Sequence, residues 1–160
     1  MEKVEKKIDL EKLISFLGND FIMSSRGKAN AEQTFKDVKF IGLLFSADYT
    51  PPCKSFVKKY LIPFYKEVND ESRQIEIIYI SLDKNFNDYR NCFVGEMPWY
   101  ALKYNDMLTE PLMEKYSVKC IPTLIVINPL GELVTDKGRT DIMVDEFEAF
   151  NKWVRMLEKM

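Results

Sequence analysis

Two nearly unbroken apolar runs dominate the pattern of this chain. Val38 to Phe45 and Ile75 to Leu82, the second interrupted only by Glu76 and Ser81, read as strands covered on both faces. A shorter β-branched run, Thr123 to Ile127, leads into Asn128-Pro129-Leu130-Gly131 and then Leu133-Val134. Turn residues between two such runs predict a hairpin. Residues 21 to 24 predict a brief strand, followed by the polar stretch Ser24 to Asn30.

Elsewhere the spacing is helical. Leu10, Leu13, Ile14 and Leu17 with Gly18 after them predict a short helix over 9–17 with a glycine stop. Beyond Ser46-Ala47-Asp48, Thr50 suits an N-cap and Pro51 the first helical position, and Phe56, Val57, Tyr60, Leu61 and Phe64 form the stripe that helix would bury. Pro63 lies inside this stripe and predicts a kink, because it removes a donor and crowds the preceding turn. Further helices are expected from about Phe86 to Phe93, before Met97-Pro98-Trp99-Tyr100, and from about Glu110 to Tyr116, before Cys120-Ile121-Pro122. A last one runs from about Val144 to Leu157, with Phe147, Phe150, Val154 and Leu157 on one face. Strands alternating with helices, then a hairpin and a closing helix, define an α/β sandwich with a mixed sheet. One domain over 1–160 is expected, with its core about 21–157.

Composition narrows the function classes. The 160 residues are 46% hydrophobic and 30% charged, the balance of a folded globular chain. Lys and Arg total 23 against 25 Asp and Glu, so a formal charge of −2 supplies no basic field for nucleic acid. The acids among the first residues disfavour a transit peptide, no run reaches the ~20 apolar residues of a membrane span, and a cytoplasmic location without membrane insertion is expected. Three cysteines, with no C-x-x-C pair, make no disulfide framework and point to a reducing compartment. Histidine is absent, which removes Ser-His and Cys-His catalysis and most transition-metal sites; no metal or cofactor is expected.

Phe45-Ser46-Ala47-Asp48-Tyr49-Thr50-Pro51-Pro52-Cys53-Lys54 resembles the tryparedoxin and nucleoredoxin branch of the thioredoxins, whose signature reads F-S-A-x-W-C-P-P-C-R. Glu96-Met97-Pro98-Trp99 is similar to the branch's M-P-W element and Val118 to Thr123 to its I-P-T segment. Asn128-Pro129-Leu130-Gly131 with Gly138-Arg139 is similar to its hairpin and following loop. The resemblance covers about Phe21 to Arg139 and implies a thioredoxin fold, a three-layer α/β/α sandwich, with the motifs at strand ends.

Two departures change what the resemblance implies. Tyr49 stands at the family tryptophan and Thr50 at the family's attacking cysteine. A threonine hydroxyl is not ionised near neutral pH and an alkoxide takes no part in disulfide exchange, so a two-cysteine cycle within the motif is closed. Cys53 then has two readings, a reactive lone thiol or a small buried residue. Cys120, two residues before the proline that matches the family's cis-proline, Pro122, is either a second thiol on the rim of the same groove or an incidental surface thiol. Cys92 reads as core. The family's proton-transferring acid falls at Leu44; Asp83 corresponds either to the acid after the branch's second strand or to a turn or N-cap residue before the helix near Asn85.

A cis Pro122 would leave the Ile121 backbone open to an extended peptide, and Tyr49, Trp99 and Pro122 would offer an apolar platform beside Pro51 and Pro52, unless Trp99 is packed core, its other reading. The expected function is therefore a redox-inactive member of an oxidoreductase family, a binding or assembly module holding a protein or peptide client in its groove, or a subunit of a larger assembly. The alternative is residual monothiol activity at Cys53 with or without Cys120.

Overall fold

The structure, a computed structural model, describes residues 22–24, 27–29 and 31–160. The helix expected over 9–17 lies outside them. The described strands are β1 (Ile22–Ser24), β2 (Gly27–Lys28), β3 (Phe40–Ser46), β4 (Ile75–Ser81), β5 (Tyr100–Leu102), β6 (Thr123–Ile127) and β7 (Leu133–Thr135). They form one seven-stranded mixed sheet in the order β2-β1-β5-β4-β3-β6-β7. The two long apolar runs are its centre: β3 pairs in parallel with β4 and antiparallel with β6. Both read buried at every position, as strands covered on both faces must.

Alternation sends the side chains of each strand to opposite layers. Phe40, Leu44, Ile77, Tyr79, Leu124 and Val126 face one core with Phe56, Leu61, Phe64 and Trp153, whereas Ile41, Leu43, Phe45, Ile78 and Ile125 face another with Phe35, Leu112 and Val118. This is the α/β sandwich the pattern predicts. Trp153 is fully buried, edge-on to Phe40 and Phe64 at ring separations of 6.1 and 5.4 Å, and its Nε1 donates to Asp141 at 2.9 Å. Gly42 lets the sheet close there, since a Cβ would stand 3.0 Å from Leu124 Cδ1.

Seven helices are described: α1 (Ala31–Thr34), α2 (Pro51–Ser55), α3 (Ile62–Val68), α4 (Phe86–Glu96), α5 (Thr109–Lys115), α6 (Gly138–Asp145) and α7 (Glu148–Glu158). Between α2 and α3 the chain runs as a π-helix, Phe56–Leu61, in which Ile62 N–H reaches back to the Val57 carbonyl. The proline effect expected at Pro63 thus takes the form of a widened turn ahead of it, which keeps its ring clear of the previous carbonyls.

The closing helix differs from its expected span. Instead of one helix from Val144 to Leu157, α6 and α7 are separate, broken at Glu146 with φ 50°. Both Ile142 and Trp153 reach the same core only because the axis turns between them. Strands β2 and β5 went unread in the sequence: each is so short that sheet pairing, not local pattern, defines it.

Candidate functional site

The candidate site begins where β3 ends. Phe45 pairs with Thr123, so the residues leaving β3, Ser46 to Cys53, lie beside those entering β6, Cys120 to Pro122. The parallel register of Ser46 with Ser81 brings the end of β4 to the same place.

Thr50 is extended at φ −108°, ψ 130°, and its Oγ1 accepts the Cys53 N–H at 3.3 Å. It is the N-cap, and Pro51 starts the helix. The hydroxyl that replaces the attacking thiol of the resembled motif is therefore engaged in satisfying a helix end. Cys53 is 1% exposed in the core, and of the three free cysteines only Cys120 is exposed.

Tyr49, 47% exposed, carries Lys84 Nζ 4.5 Å above its ring, and Pro51 and Pro52 are exposed beside it. Trp99 corrects the expected platform. It is 2% exposed and packs edge-on against Tyr65 at 5.4 Å, with its Nε1 making no hydrogen bond among the described residues, so its ring belongs to the core and presents no face to a client. Pro122 is also buried, and the apolar surface at the turn reduces to Tyr49, Pro51 and Pro52 with half-buried Ile121.

The Ile121–Pro122 peptide is cis. Strand β6 starts only at Thr123, whose Oγ1 donates to the Cys120 carbonyl at 2.6 Å, and Arg139 Nη1 donates to the Pro122 carbonyl at 3.4 Å. Ile121 keeps its backbone N–H and C=O without a partner among the described residues. Gly138 allows α6 to begin this close to β6, because a Cβ would meet the Leu124 carbonyl at 2.8 Å.

Asp83 is a buried hub and not a helix cap; Asn85 caps α4, accepting the Asp88 N–H at 2.9 Å. The Asp83 carboxylate accepts Tyr79 Oη and Ser81 Oγ at 2.5 Å each and the Asp48 backbone N–H at 2.6 Å. The signal for it was slight: an acid directly after a buried strand ending in serine, which turn chemistry explains equally well.

Sequence reasoning missed one further convergence. A carboxylate oxygen of Asp48, the Cys92 sulfur and a carboxylate oxygen of Glu96 lie within 4.8 Å of one another. Burial, with Asp83, Asp48 and Glu96 nearby, pushes the Cys92 thiol up to about 12, so it is a protonated core group at neutral pH. Lys54 approaches Asp48 at 3.8 Å and Lys58 approaches Glu96 at 3.1 Å. Each carboxylate thus has its own cation.

A parallel-centred sheet, a proline-started helix at its carboxyl end and a cis-proline loop facing that helix define the thioredoxin class. The thioredoxin-like family model matches residues 37–133, and the chain belongs to that family, in its tryparedoxin and nucleoredoxin branch. Tryparedoxin II from Crithidia fasciculata is similar with a TM-score of 0.78 and 29% identity, over 87% of this chain and 91% of that one. A thioredoxin from Wuchereria bancrofti gives 0.72 and 33%, covering 87% and 96%. Nucleoredoxin of Bos taurus is 32% identical over 126 residues, 78% of this chain and 28% of that protein. The chain spans between 21% and 38% of the length of the first curated nucleoredoxins it matches. Among the described residues no helix is long and apolar enough to cross a membrane.

Proposed function

We propose that this chain is a redox-inactive member of the branch, a cytoplasmic binding or assembly module that keeps the family's peptide groove without its dithiol cycle. The observation that carries this is the coexistence of a capped turn that exposes no thiol with an open backbone. Thr50 Oγ1 is used as the cap of α2 and Cys53 is out of contact with solvent, while the Ile121 N–H and C=O have no partner among the described residues. An extended client segment pairing with Ile121 would satisfy both groups by strand addition, with Tyr49, Pro51 and Pro52 against its side chains. None of this needs a nucleophile at position 50.

The test pairs the protein with Thr50→Cys in an insulin-reduction assay. The parent is expected to show no turnover above the reductant alone, and the variant to gain it, because the scaffold around α2 is already built. Turnover by the parent near that of an active thioredoxin would end the proposal. The second reading, monothiol exchange through Cys53 with or without Cys120, draws on one observation, the exposed Cys120 thiol two residues before the cis-proline, since Cys53 itself is buried. It predicts a mixed disulfide at Cys120 and loss of any exchange in Cys120→Ser.

A further inference from the structure

A cavity of about 160 Å³ lies where the π-helix and α3 meet the break between α6 and α7, and it shares no residue with the Thr50 turn or the cis-proline loop. Both of its sides depart from regular helix. The widened turn contributes Tyr60 to the wall, and the φ of 50° at Glu146 ends α6 one residue before Phe147. Phe64 and Ile142 are buried core residues that line it, and half-buried Phe147 stands 6.3 Å from the Phe150 ring. A space of this size holds roughly one benzene-sized group.

The lining is aromatic and acidic. Tyr60, Phe64 and Phe147 share it with the carboxylates of Glu67 and Glu146 and with one ammonium, that of Lys59. Neither carboxylate forms an ion pair with a described residue, so Lys59 neutralises neither, and its exposed head can extend into water on its flexible stem. In the flanking sequence Lys66 is set against Asp145 and Glu148, while Lys152 is held by Asp141 at 2.9 Å.

This set of groups selects a class of guest. An anion would face two carboxylates, and a neutral apolar guest would leave both without a counter-charge. A metal ion is poorly served, because Glu67 and Glu146 join no cluster of three metal-ligating side chains among the described residues and aromatic walls offer a hard cation no oxygen. A weakly hydrated organic cation is matched by the whole lining, since the rings attract it through their faces and the carboxylates through charge. We propose that this cavity binds a methylated ammonium group, carried by a small molecule or by a methylated lysine of another polypeptide.

Four probes test it by titration into isotopically labelled protein, with the amides of Tyr60, Phe64, Ile142 and Phe147 as reporters. They are choline, the neutral alcohol in which tert-butyl replaces its trimethylammonium group, and two peptides differing only in one lysine, trimethylated or unmodified. Choline is expected to move these amides and to bind roughly fivefold or more tightly than the alcohol, each cation–π contact being worth about twofold to fivefold. The trimethylated peptide should exceed the unmodified one by a similar factor. Glu67→Gln combined with Glu146→Gln, both exposed positions, should weaken choline by roughly threefold and leave the alcohol unchanged. Equal binding of choline and the alcohol overturns the proposal, as does equal and measurable binding of the two peptides, because shape or plain charge would then suffice. No movement of these amides with any probe also overturns it. A trimethylated peptide that outranks choline makes the guest a protein side chain, and the reverse order makes it a free cation; either order upholds the site. The ligand comparison uses the unsubstituted protein, so it decides the matter even if the double substitution fails to fold.

Discussion

The Asp83 carboxylate holds the backbone N–H of Asp48 at 2.6 Å, joining the end of β4 to the turn that follows β3. The same carboxylate accepts Tyr79 and Ser81, so three donors depend on one buried side chain. Asp83→Ala is expected to destabilise the protein by about 2–4 kcal/mol, since hydrogen bonds to a charged group are worth about 1.5–3 kcal/mol and their buried donors would be stranded. Denaturant unfolding of the variant measures the loss. A change below about 0.5 kcal/mol, the range of surface substitutions, would show that the hub is not what fixes the turn.

Thiol accessibility separates the cysteines without assuming any chemistry. Cys53 and Cys92 are buried and Cys120 is exposed, so a native protein should react with a maleimide at Cys120 alone, and all three thiols should react after unfolding. Mass spectrometry of the labelled peptides reads the pattern. Rapid native labelling of Cys53 would contradict its place in the core and revive monothiol chemistry at the turn.

Alkaline pH should weaken the fold. Burial first, then neighbouring carboxylates, pushes Cys92 up to about 12 from 9.0 and Tyr89 up to about 12 from 10.0. A group whose folded value is raised holds its proton more tightly folded than unfolded. Its contribution is fully present below the unfolded value and is lost as pH rises from there through the folded one. The thermal midpoint should therefore fall steadily above pH 9, and Cys92→Ala should flatten the first part of that decline. An identical slope in the variant would remove Cys92 from the account.

Far from the turn, Glu76 is 2% exposed in β4, where Tyr65 Oη donates to it at 2.7 Å and Arg73 Nε lies 3.2 Å away. Burial raises its carboxyl, and Tyr65 and Arg73 offset that rise. Arg73→Ala removes one offset and should cost about 1–2 kcal/mol, less than for a fully buried pair because the Arg73 side chain is 40% exposed. A raised folded value means the ionised form is the costly one, so the loss should be larger at pH 8 than at pH 5. Equal losses at both would assign the effect to the Arg73 contact with the Thr34 carbonyl instead.

What the sequence alone determined follows from local rules. The apolar runs Val38 to Phe45 and Ile75 to Leu82 state strands buried on both faces. Thr50 followed by Pro51 states a helix start, and turn chemistry at Asn128 to Gly131 states a hairpin, because caps, proline geometry and alternation act within a few residues. The family was legible for the same reason, its motifs being contiguous. Tertiary structure decided everything that depends on distant partners. It placed Trp99 in the core against Tyr65, deciding between the platform and core readings that the sequence left open. It turned Asp83 from a turn residue into a buried hub and broke the last helix at Glu146 so that Ile142 and Trp153 share one core. It also separated the three cysteines into two buried thiols and one exposed. Burial and convergence arise only when strands pair, and no local pattern carries them.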